Sequence, residues 1–102
     1  DYGAYQTEIA KDAPVIEYHG SGSLAPGTVN VADYVKAHDY NGQELAVKLL
    51  KFCDKDGNEL TDQMDQASGT ITFSSAGKYS FTVKAVDSGN RKTTVVIHVP
   101  VM

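Results

Sequence analysis

At 102 residues the chain has the length of one domain, so one apolar core is expected, and 41% hydrophobic with 22% charged residues is ordinary globular composition. No apolar run approaches the roughly 20 residues that cross a bilayer as a helix. A formal charge of -4, with Lys and Arg scattered along the sequence, argues against nucleic acid and against acidic membranes as partners.

Residues 1–13, DYGAYQTEIAKDA, mix Gly, Ala and both charge signs without a sustained period and read as a linker or N-terminal tail, leaving 14–102 as the domain. The sequence begins at Asp1 and shows no apolar signal region, so a processed product or an excised piece of a longer protein is expected. Short strands are predicted at 15–18 and 28–31, separated by the turn-rich GSGSLAPG. Residues 32–37 are expected to form one irregular or helical turn capped by Asn30. The run 45–53 reads as one strand whose apolar phase shifts between Leu49 and Leu50, which requires cover on both faces or a bulge.

Asp54-Lys55-Asp56-Gly57-Asn58 then makes a turn, and Ile71 with Phe73 share one face of the strand TITFS. The clearest alternation is at 78–86: Tyr79, Phe81, Val83 and Ala85 face one way, Lys78, Ser80, Thr82 and Lys84 the other. Asp87-Ser88-Gly89-Asn90, with Gly89 expected at positive φ, turns the chain into a last strand that carries Val95, Ile97, Val99 and Val101 on one face. Pro100 has no N–H to donate, which predicts that this strand lies at a sheet edge.

Six or seven short strands, with turn signals about every ten residues, predict an all-β fold, an immunoglobulin-like β-sandwich of about seven antiparallel strands. Tyr79 stands two residues before Phe81, as the tyrosine corner stands two residues before the second cysteine of an antibody domain. The chain has no Trp and one cysteine, Cys53, so there is no intrachain disulfide and no cysteine-based zinc site; apolar packing must replace the disulfide and tryptophan pin.

Pro14-Val15-Ile16, Asp39-Tyr40-Asn41-Gly42, Asp54-Lys55-Asp56-Gly57-Asn58, Ala76-Gly77-Lys78-Tyr79 and Ala85-Val86-Asp87-Ser88-Gly89-Asn90 together resemble the bacterial immunoglobulin-like domains of secreted and cell-surface proteins. The resemblance spans about residues 14–101, and its most specific part runs from Gly77 to Asn90. It implies an exported, non-catalytic module: a spacer, an adhesion or interaction domain, or an accessory domain beside a glycan-degrading enzyme. Its implied partners are neighbouring domains of a larger chain and a protein or glycan ligand, with no nucleic acid and no membrane insertion.

Three constellations bear on chemistry. Residues 54–65 place oxygen ligands at positions 1, 3, 5, 9 and 12 of an EF-hand-type loop, but Glu59 replaces the glycine, Asp65 the chelating Glu, and the flanks alternate, so a hairpin turn is the better reading. Asp12, Asp39, Asn41 and Asp87 are the candidates for a calcium site at one pole of the sandwich, calcium being the one cofactor considered. The alternative for them is ordinary hydrogen bonding of turn Asx side chains to backbone. Tyr18 and Tyr40 are the candidate glycan-binding pair, while Tyr34 is expected to fill the core and Tyr2 and Tyr5 to belong to the tail.

No enzyme activity is expected. His19, His38 and His98 are the imidazoles, no nucleophile-elbow sequence occurs, and the carboxylates fall in loops or tail without identifying an acid and base pair. His38 beside Asp39 reads as a solvated loop histidine. For Cys53, inert packing is preferred over an exposed thiol.

Overall fold

In the computed structural model, the described residues are 13–20 and 22–102, together with the backbone of Ala4 and Tyr5. The strands in chain order are β1 (Ala4–Tyr5), β2 (Val15–Tyr18), β3 (Gly27–Asn30), β4 (Val35–His38), β5 (Glu44–Leu45), β6 (Lys48–Asp54), β7 (Met64–Asp65), β8 (Thr70–Phe73), β9 (Gly77–Val86) and β10 (Lys92–Val101). They form three small antiparallel sheets, ordered β1-β10-β9-β6, β2-β4-β5 and β3-β8-β7, and the protein is all-β.

The β9–β10 hairpin is the spine. Its ten-residue strands pair without interruption from Gly77↔Val101 to Val86↔Lys92. Perfect alternation buries Tyr79, Phe81, Val83 and Ala85 from one strand and Val95, Ile97, Val99 and Val101 from the other. β6 joins β9 with a register shift between Leu49 and Lys51. This bulge turns Leu50 outward, 37% exposed, while Leu49 and Phe52 on either side stay buried.

One core receives side chains from all three sheets: Ile16, Val35 and Ala37, then Leu49 and Phe52, then Ile71 and Phe73, against the inner face of β9 and β10. Three rings tie the largest sheet to β8. Phe52 stacks on Tyr79 at 5.5 Å between centroids, meets Phe73 edge-on at 5.6 Å, and Phe73 tilts against Tyr79 at 5.1 Å. The Tyr79 hydroxyl donates back to the Ser75 carbonyl at 2.8 Å, so its buried polar end is satisfied.

The structure corrects four local readings. The helical turn covers only Val31–Asp33, capped by the Asn30 side chain, which accepts from the Ala32 N–H at 2.9 Å; Val35–His38 is a strand paired with β2. The run 45–53 is not one strand: Glu44–Leu45 pairs with β4, residues 46–47 cross over, and Lys48–Asp54 pairs with β9. In the last hairpin the left-handed residue is Asn90, at φ 66°, and not Gly89. Finally, β10 is not a free edge, because β1, within the segment read as a tail, pairs with it at Val96 and Ile97. Pro100 fits nonetheless: its carbonyl accepts from Leu24 N–H on the side away from β9, so its missing donor takes nothing from the β9 ladder.

Candidate functional site

Three loops follow one rule. In Asp39-Tyr40-Asn41-Gly42-Gln43, Asp54-Lys55-Asp56-Gly57-Asn58 and Asp87-Ser88-Gly89-Asn90-Arg91, the Asp N–H donates to the fifth residue's carbonyl and the fourth N–H donates back to the Asp carbonyl. The fourth residue is left-handed in each: Gly42 at φ 86°, Gly57 at 84°, Asn90 at 66°. This is the type I turn closed by a glycine-type bulge, a position that Gly or Asn takes with least strain. Each Asp Oδ1 then accepts the N–H groups of the third and fifth residues at 2.8–3.0 Å.

The Asp39 and Asp87 loops stand at one pole and are bridged by Arg91. Its Nε donates to Asp87 Oδ2 at 2.7 Å, and its guanidinium carbon lies 4.8 Å from the centre of the Tyr40 ring. The same pole holds Pro14, whose carbonyl accepts from the buried Thr93 hydroxyl at 2.5 Å. The sequence thus placed Asp39 and Asp87 at a common end, and the structure brings their loops together through a cation already belonging to the chain. Asn41 lends its backbone N–H to Asp39, and Asp12 lies outside the described residues. Among the described residues no group of three or more His, Cys, Asp or Glu side chains is placed to hold a metal.

Burial works to raise the Asp87 carboxyl, but the Arg91 backbone N–H, the Arg91 guanidinium and the Gly89 N–H outweigh it and hold the group below the usual carboxylate range. Asp54 is lowered by the Asn58 side-chain amide first and by the N–H groups of its turn. A carboxyl more acidic in the folded chain than in the unfolded one stabilises above the unfolded pKa, near 3.9, and loses that contribution as pH falls through the folded value. The melting temperature is therefore expected to be flat from about pH 7 to about pH 5 and to fall below about pH 4. The double variant Asp54→Asn, Asp87→Asn should show a shallower acid limb; an acid limb as steep as the wild type's would contradict this assignment.

Tyr18 and Tyr40 do not share a platform. Tyr18 pairs with Val35 at one end of the β2–β4 ladder, whereas Tyr40 lies beyond His38, which pairs with Val15 at the other end, about 10 Å along the strands. The Tyr18 ring is half-buried against the core and lies so close to Gly20 that a Cβ there would meet its hydroxyl at 2.1 Å. Tyr40 is 54% exposed, with Arg91 over its ring. Tyr34 packs on the core as expected. His38 ends β4 and is half-buried rather than a loop residue; His19 is exposed, 3.5 Å from Glu17, and Cys53 is buried beside the returning Glu59.

No family model, no curated protein and no solved structure matches the chain. The functional reading rests on the residues. Among the described residues no helix is long and apolar enough to cross a membrane.

One surface was only half foreseen, as the polar side of 78–86. Because the alternate residues of β9 and β10 are buried, Lys78, Ser80, Thr82 and Lys84 face outward, as do Lys92, Thr94, Val96, His98 and Pro100. The β6 register adds Lys48 directly opposite Lys84 and Lys51 opposite Thr82. No Asp or Glu occupies an outward position of β9 or β10, and the ion pairs among the described residues, His19–Glu17 and Arg91–Asp87, lie elsewhere. At one end of this face the Asp54 turn closes a groove of about 430 Å³ lined by Asp54, Lys55, Lys78, Ser80, His98 and Pro100.

Proposed function

We propose that the chain is an immunoglobulin-like β-sandwich, a non-catalytic module of an exported bacterial protein that acts as a spacer or as an adhesion and interaction domain. The observation that carries this reading is the Tyr79 hydroxyl bonded back to Ser75, four residues upstream, at the start of a central strand flanked by β10 and β6. Immunoglobulin domains place a tyrosine corner at the corresponding strand of a sheet with the same central order, and Phe81 then stands where their second cysteine would be. The apolar contact of Phe52 with Phe73 supports the reading that ring packing does the work of a disulfide and tryptophan pin. The aspartate-fixed hairpins support a rigid, stalk-like role, since they hold loop backbone that would otherwise be free.

Tyr79→Phe is expected to lower stability by about 1 kcal/mol, the cost of leaving the Ser75 carbonyl without its donor, with the ring packing intact. A loss below the error of urea denaturation would remove the corner from the argument. The functional reading is tested by immunolabelling producer cells. Signal on intact cells or in the medium is expected, and signal only after permeabilisation would overturn the exported assignment.

A further inference from the structure

We propose that the outer face of the β10-β9-β6 sheet binds an anionic polysaccharide, its carboxylate or sulfate groups held by Lys48, Lys51, Lys84 and Lys92 and a sugar unit seated in the groove between Lys55, Lys78 and His98. This goes beyond the spacer reading and does not rest on it, because the face exists whatever the module's export or ancestry.

Charge placement is the first reason. The chain carries -4 overall, yet Lys48, Lys51, Lys78, Lys84 and Lys92 gather on one side of one sheet, and among the described residues none of them forms an ion pair. Lys48 and Lys84 are direct cross-strand partners, and like charges so placed destabilise a sheet. Protection of an exposed edge explains lysines on β6. It does not explain Lys84, which lies between Thr94 of β10 and Lys48 of β6.

The chemistry between the lysines selects the partner. Ser80, Thr82 and Thr94 intersperse hydroxyls with the ammonium groups, a combination that meets both the anions and the hydroxyls of a charged sugar chain. From Lys78 to Lys92 the band runs about 25 Å along the strands, room for an extended chain rather than one small ligand. Outward positions of β9 and β10 carry no Trp, Tyr, Phe or Arg, so the residue types that dominate protein hot spots are missing from both strands, and His98 is the one ring there on which a base could stack.

Fluorescence anisotropy with labelled chondroitin sulfate and polygalacturonate oligosaccharides tests this, with dextran as neutral control and polyglutamate and single-stranded DNA as other polyanions. At about 0.05 M salt, saturable binding to at least one of the two polysaccharides is expected, weakened about tenfold or more at about 0.5 M salt, where the Debye length is only a few ångströms. Lys48→Gln with Lys84→Gln should weaken it about tenfold or more without lowering the melting temperature, since a repulsive pair is removed. Lys36→Gln, on the β2-β4-β5 sheet, should leave it unchanged. Failure of both polysaccharides to bind, an equal loss in Lys36→Gln, or binding of DNA or polyglutamate at least as tight would each overturn the proposal.

Discussion

Phe52→Ala is expected to cost about 3–5 kcal/mol, the largest loss of any single substitution considered, as truncation of a fully packed aromatic does. Phe52 is 1% exposed and packs against both Phe73 on β8 and Tyr79 on β9. Removing it opens a cavity between two sheets that share no ladder hydrogen bonds. A domain of this size has about 5–15 kcal/mol of total stability, so the variant should sit near its unfolding midpoint in mild urea. Leu50→Ala, two residues away on the bulge and 37% exposed, should change stability by about 0.5 kcal/mol or less. Equal losses for the two variants in urea denaturation would mean that the bulge does not set the register of β6.

Asp87→Ala is expected to lower the melting temperature by about 10 °C, through hydrogen bonding and not through apolar contact. The carboxylate is buried and fully engaged: Oδ1 accepts from Gly89 and Arg91 N–H, and Oδ2 from the Arg91 Nε. Its removal leaves two loop N–H groups without their acceptor and releases Arg91 from its position over Tyr40, so the link between the two polar loops goes with it. Asp87→Asn keeps one acceptor oxygen and should recover part of the loss. Asp56→Ala, whose side chain is exposed in the corresponding turn at the other pole, should be close to neutral. An Asp87→Ala protein melting with the wild type would show that the turn backbone holds itself without the carboxylate.

The β9–β10 hairpin was readable because ten residues of unbroken alternation leave one interpretation. Val35–His38 was not, because four residues directly after an Asn-capped turn offer too little periodicity to separate a strand from a continued helix. Leu45-Ala46-Val47 concealed the passage between sheets: a continuous apolar run carries no mark of where hydrogen-bond partners change. Gly89 drew attention by composition, yet the loop rule was present in the text. Gly42 and Gly57 each stand three residues after an Asp, and the residue three after Asp87 is Asn90.

The candidate site divides the same way. That Asp39 and Asp87 share a pole followed from the expected strand order, but a carboxylate turned to backbone N–H groups and one turned to a cation have the same sequence. The lysine face was half visible, as the polar side of 78–86. Its other half depends on β6 lying against β9 in a bulged register some thirty residues upstream, and no local pattern specifies that pairing.

Separate sheets close on one interior through the rings of Phe52, Phe73 and Tyr79. A nuclear Overhauser spectrum of the protein in solution tests it most directly. Cross-peaks among ring protons of all three residues, with dispersed chemical shifts, are predicted; a folded protein lacking the Phe52–Phe73 and Phe73–Tyr79 cross-peaks would contradict it.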